Sequence, residues 1–214
     1  MLFDTFYMGN VPDPGLIDSF QVGIKLNQQL AGFSLEENTF VGSTGNVDIM
    51  IGISAENLGE MNNFIRKNTF SGLDLANEAF GRNGNTNDEL NGLRYICNVN
   101  SSTTDKDFFI KDSYYGIDNV SILQADFAGD GSLIATGNEF SSTGDQDDGD
   151  FANYGVEIDE YHYYASSAAQ VPDAVDGITS TVPALTNDCG QNYCAPPCLS
   201  GNDLADLRHK LIDF

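Results

Sequence analysis

Val47, Ile49, Ile51 and Ile53 alternate with Asp48, Met50 and Gly52. A β-branched run at period two is the signature of a strand with one face turned to a core, so this chain must build a sheet. Beyond Ile53 the period changes. Ser54 is a plausible N-cap, and Leu58, Met61 and Ile65 stand at i, i+3 and i+7. That spacing predicts an amphipathic helix over 55–67, closed by the cations Arg66 and Lys67 at its C-terminus. A second short helix is predicted over 73–80 from Leu73, Leu75, Ala76 and Phe80.

Elsewhere the pattern favours short strands. Residues 16–31 fit either period and lean to strand, because Phe20, Val22, Ile24 and Leu26 alternate and Gly23 weakens a helix. Strand-like runs occur at 93–98, 107–111, 119–125 and 156–165, with a weak one at 133–136 inside a Gly/Asp/Ser-rich loop over 126–151. Segment 1–14 reads as irregular, with Pro12 and Pro14 in it. Residues 176–214 read as an extended, Pro-punctuated tail ending in a helix with Leu204, Leu207, Leu211 and Phe214 on one stripe. The expectation is an α+β fold, strand-rich with a few short helices, in a single domain over 1–214 and without an internal repeat.

Charge narrows the function classes. The chain has 32 Asp+Glu against 9 Lys+Arg, a formal net charge of −23, and no Lys or Arg lies between Lys111 and Arg208. Binding nucleic acid through phosphates needs cations that this composition lacks, and an anionic membrane surface would repel it. No apolar stretch approaches the roughly 20 residues of a membrane helix, and no basic, apolar leader pattern opens the chain; the expectation is a protein that stays in solution.

Three clusters are candidates for chemistry. Asp145, Asp147 and Asp150, with Asp148 and Gly149 between, look like the opening of a calcium loop, but residue 156 is Val where a bidentate Glu would close it. Calcium is the candidate ion for this loop, and no organic cofactor is expected. Cys189, Cys194 and Cys198 are spaced C-x4-C-x3-C, with Cys97 far upstream; zinc, a disulfide within the C-terminal loop and free thiols with Cys97 as a buried apolar residue all remain open. His162 lies among Asp159, Glu160 and three tyrosines, but no activated nucleophile accompanies it, so the chain is not expected to be an enzyme.

The order of elements resembles the C-terminal half of the major capsid proteins of tailed bacteriophages. The resemblance rests on the strand-to-helix step 47–53 and 58–67, the Gly-led run 91–96, the pair 107–110 and 114–120, and the run 154–165 with its Pro-containing exit 171–175. It implies a structural protein of a virus particle, self-assembling and located in the virion, contacting itself and other virion proteins with neither nucleic acid nor membrane as a direct partner. The alternatives are a tail or decoration protein and a calcium-dependent surface-binding module. On this reading Leu204, Leu207, Leu211 and Phe214 form a subunit contact in a homo-oligomer.

Overall fold

A computed structural model describes residues 5–8, 20–27, 32–43, 49–85, 88–101, 106–111, 120–121, 123–141, 150–154, 161–167, 170–172, 178–183, 187 and 189. Its strands in chain order are β1 Thr5–Met8, β2 Phe20–Asn27, β3 Ser34–Glu36, β4 Thr39–Gly42, β5 Ile49–Glu56, β6 Asn63–Arg66, β7 Thr69–Ser71, β8 Leu75–Phe80, β9 Leu93–Ile96, β10 Val99–Ser101 and β11 Lys106–Lys111. After these come β12 Leu123–Gln124, β13 Asp126–Phe127, β14 Leu133–Ile134, β15 Phe151–Tyr154, β16 Tyr161–Ala165 and β17 Ile178–Pro183.

Consecutive strands do not pair with each other. From β2 to β11 the chain visits three sheets in rotation, and each strand pairs in parallel with the strand three places on. The sheets are β2-β5-β8-β11-β15, β3-β6-β9 and β1-β4-β7-β10. This is a parallel β-solenoid, one coil of chain per layer. Two of the sheets keep a repeat of 30 residues: Ser34 pairs with Phe64 and Phe64 with Arg94, and Thr39 pairs with Thr69 and Thr69 with Val99. A smaller parallel sheet, β12-β16-β17, and the antiparallel pair β13–β14 complete the described strands.

The architecture corrects the α+β expectation: no α-helix occurs among the described residues. The predicted helix 55–67 is the end of β5, a turn and β6, and the predicted helix 73–80 is β8. Met61 shows why. A helical stripe would bury it with Leu58 and Ile65, yet Met61 is 56% exposed while the other two are fully buried. Ser54 is no cap; it lies in β5, and its hydroxyl donates to Glu78 across the sheet at 2.9 Å. The period-two reading of 49–53 is only half right, because Met50, Ile51 and Ile53 are all buried. A strand inside a parallel sheet can be covered on both sides, which erases alternation. The absence of a repeat is corrected as well.

Two ladders hold the coils in register. Asn38, Asn68, Asn98 and Asn138 stack, all buried. The backbone N–H of Asn38 donates to Asn68 Oδ1 at 3.0 Å, that of Asn68 to Asn98 Oδ1 at 3.1 Å, and that of Asn98 to Asn138 Oδ1 at 2.9 Å. Each Nδ2 of the first three also reaches the next Asn. The residues just before them, Glu37, Lys67, Cys97 and Gly137, all have positive φ. That is a corner turned the same way in four successive layers; where a non-glycine residue turns it, the cost is about 1–2 kcal/mol, offset by the amide bonds.

The second ladder is aromatic. Phe6, Phe40 and Phe70 stack at 4.9 and 5.0 Å with their planes within 10°. Gly23 and Gly52 make room for it: a Cβ on either would stand 2.8 or 2.7 Å from the ring of Phe40 or Phe70. In the next layer the row passes to Asn100, buried, whose Nδ2 donates to the carbonyl of Glu139. Burying such rings is the main favourable term.

One covalent staple closes the far layers. Cys97 and Cys189 form a disulfide across 92 positions, fixing residue 189 beside the last corner of the amide ladder. None of the readings left open from sequence joins these two cysteines in a disulfide, and Cys97 as a free buried thiol is corrected; Cys194 and Cys198 lie outside the described residues.

Candidate binding surface

Most residues of the clusters singled out from sequence lie outside the described ones. Asp145 and Asp147 lie outside the described residues. Asp150 is buried, and its carbonyl accepts the N–H of Phe108 at 2.9 Å. Among the described residues no group of three or more His, Cys, Asp or Glu is placed to hold a metal ion. Leu204, Leu207, Leu211 and Phe214 are likewise outside them. Next to His162, Tyr163 is buried, and its hydroxyl oxygen accepts from Thr136 Oγ1 at 2.6 Å and from Asn138 Nδ2 at 3.2 Å. Burial pushes this phenol well above the usual tyrosine range. No described helix is long and apolar enough to cross a membrane.

The three faces of the solenoid differ in charge. On the β2-β5-β8 sheet, Lys25 pairs with Glu56 at 3.0 Å. On the β3-β6-β9 sheet, Arg66 stands 3.3 Å from Asp126, and the Arg94 guanidinium lies between the rings of Phe64 and Phe127, 5.0 and 4.8 Å from their centroids. Arg94 is anchored by Asn62 Oδ1 at 2.8 Å and the Leu90 carbonyl at 3.0 Å. Burial lowers its pKa to about 10, against the pull of Asp126.

On the β1-β4-β7-β10 face the strand positions themselves are uncharged, with Glu37, Lys67 and Glu139 at the rim. Phe6, Phe40, Phe70 and Asn100 share one register row on its inner side, so the alternate positions point outward. Those form two rows, Thr5, Thr39, Thr69, Val99 and Tyr7, Val41, Ser71, Ser101. All eight are at least partly exposed, Tyr7 to 81%. None of the eight is charged, but the row continues beyond Val99 to Glu139, exposed, which pairs with it in parallel.

At the β1 end this face runs into an open recess of about 400 Å³, lined by Thr5, Phe6, Tyr7, Met8, Gln21, Val22 and Gly23. Its lining is also free of charge. The size falls within the range of small-ligand sites.

No protein-family model, curated protein or solved structure matches this chain.

Sequence reasoning missed the whole arrangement, although a signal was present. Asn-Thr-Phe occurs at 38–40 and again at 68–70, with Gly42 and Gly72 two residues beyond. Val-Gly-Ile at 22–24 and Ile-Gly-Ile at 51–53 mark the facing strands. Lining up the Asn-Thr-Phe pair exposes a 30-residue period and places Thr39 and Thr69, and the facing pair recurs after 29.

Proposed function

We propose that this chain is a structural protein of a virus particle, an assembling tail or decoration component that works through protein contacts rather than catalysis. The observation that carries the reading is the stapled solenoid itself. Its strands are tied layer to layer by buried amides, and the last described layers by a disulfide. Disulfides persist where the surroundings are oxidising, virion and cell surfaces among them, and a solenoid in register supplies a stiff platform. The strand-to-helix step of the capsid resemblance is absent, which favours an appendage over a shell. The large negative charge keeps such a protein soluble and discourages unspecific self-association.

Light scattering on the purified protein, combined with negative-stain imaging, tests this. A discrete homo-oligomer of uniform shape is expected. A strict monomer at all concentrations would contradict self-assembly, and closed shells would restore the capsid reading.

A further inference from the structure

We propose a buried calcium site inside the solenoid, where β8, β10, β11 and the start of β15 meet. It is held by Asp107, Asp150 and the side-chain oxygens of Asn77 and Asn100. This stands whatever the protein assembles into.

The core rows show where polarity intrudes. One row runs Ile24, Ile53, Asn77, Phe108, Phe151 through the five-stranded sheet. The facing row runs Phe6, Phe40, Phe70, Asn100, and Phe140 follows in the next coil, since Val99 pairs with Glu139. Each row is apolar except in the coil of β8 and β10, where both carry asparagine. Asn77 is fully buried and Asn100 is 3% exposed, and Oδ1 of each lacks a hydrogen-bond partner within the protein. A buried acceptor left so is costly.

Two carboxylates stand beside them. Asp107 and Asp150 precede the register pair Phe108 and Phe151, and Phe108 N–H donates to the Asp150 carbonyl at 2.9 Å. The two acids therefore occupy the same register position in adjacent strands, about 4.8 Å apart along the stack. Both are buried. Burial, with a smaller push from the Asp150 charge, raises the pKa of the buried Tyr163, which places the Asp150 carboxylate near that phenol.

Hydrogen bonds tie these groups to one corner. Asn77 Nδ2 donates to the Asp107 carbonyl at 3.4 Å, and Asn100 Nδ2 to the Glu139 carbonyl at 2.9 Å. The Asp107 carboxylate accepts from Ser141 N–H at 2.7 Å and from Ser141 Oγ at 2.9 Å. Asn100 and Asp107 are thus anchored to the same stretch, 139–141, from two sides. With their nitrogens committed to carbonyls, the amides offer oxygen.

The donor set names the ligand class. Two carboxylates stacked out of water repel one another, and a cation between them reverses the sign. The set is oxygen only, as hard cations prefer, and calcium accepts six to eight oxygens in irregular geometry.

The test uses the full chain, freed of metal with EDTA, in 0.1 M KCl at pH 7. Calcium chloride at about a hundredfold excess over Kd is expected to raise Tm by roughly 5–10 °C. Calcium should also slow amide exchange at Phe108 and Ser141. Asn100→Leu puts an apolar side chain into an otherwise aromatic row; it should fold by circular dichroism and bind calcium at least about tenfold more weakly in calorimetric titration. Asn77→Leu reads the same property in the other row should Asn100→Leu not fold. The double variant Asp145→Asn/Asp147→Asn should keep the full Tm shift, which separates this site from the acidic stretch 145–150. No calcium shift in the wild type overturns the proposal. So does wild-type affinity in a folded Asn100→Leu or Asn77→Leu, a shift lost in the double variant, or a shift without slowed exchange at Phe108 and Ser141.

Discussion

Asn68→Ala removes the middle of the amide ladder, and the structure gives the cost. The Asn68 side chain accepts from the Asn38 backbone N–H at 3.0 Å and from Asn38 Nδ2 at 3.0 Å. It donates to the Leu35 carbonyl at 3.0 Å and to Asn98 Oδ1 at 3.2 Å. Asn38 Nδ2 keeps the Glu36 carbonyl, and Asn98 Oδ1 keeps the Asn68 N–H. The Asn38 N–H loses its acceptor inside the protein, and the Leu35 carbonyl loses a donor. An orphaned buried donor costs about 1–3 kcal/mol and each of the three further lost bonds about 1 kcal/mol net, so the loss is roughly 4–6 kcal/mol. That is a large part of a typical 5–15 kcal/mol. Urea unfolding is the assay, and the midpoint should fall by roughly 1–2 M with little change in slope. Asn27→Ala is the control: Asn27 is exposed and bonds only Glu56 among the described residues, so its effect should stay within about 0.5 kcal/mol. If the two variants unfold alike, the ladder does not hold the coils and the reasoning fails.

Other outcomes rest on the same structure. Lys67 turns its corner at φ 53°, so Lys67→Gly should be neutral or stabilising by up to about 1 kcal/mol in the same assay, whereas Lys67→Val should be destabilising. Reducing the Cys97–Cys189 bond, which spans 92 positions, should lower stability by about 4–5 kcal/mol on the chain-entropy account; a Cys97→Ala/Cys189→Ala variant should then melt lower and ignore reductant, and an unchanged wild-type Tm under reductant would contradict this. Arg94→Lys keeps the charge but loses the planar group between Phe64 and Phe127 and the fork to Asn62 and Leu90, so a loss of about 1–3 kcal/mol is expected. Burial raises the Tyr163 pKa in the folded protein above its unfolded value; its contribution is therefore intact below about pH 10 and lost as pH rises past it, and Tyr163→Phe should flatten the alkaline limb of a stability–pH profile.

How much could be read from the chain depends on strand length. The strand-like runs 93–98 and 107–111 contain β9 and most of β11, although 97 and 98 form the corner after β9. The step from 54 to 67 was not legible. Leu58, Met61 and Ile65 mimic a helix by coincidence of turn length: Leu58 is buried in a turn where its N–H meets Asn83 Oδ1 at 3.0 Å, and Ile65 is buried in a four-residue strand. Strands of three and four residues supply too few positions to show period two. A solenoid instead writes its order at long range, here as Asn-Thr-Phe recurring after 30 residues, which a search for local periodicity does not see. The Cys97 partner was illegible for a similar reason, since only the stacking of layers brings residue 189 against residue 97. The outward face of β1-β4-β7-β10 was hidden because its eight strand residues come from four strands and no two are neighbours in sequence. The calcium and C-terminal stripe readings fall outside the described residues, apart from Asp150.

Amide hydrogen exchange at single-residue resolution tests the coiled architecture most directly. Stacked coils predict slow exchange recurring every 30 residues, with the Asn38, Asn68 and Asn98 amides among the best protected because each donates to the side chain of the next Asn ladder residue. The turn between β5 and β6 should exchange faster than the strands on either side. Continuous protection through 55–67 in a helical pattern, with those three asparagine amides exchanging like loop residues, would contradict the solenoid.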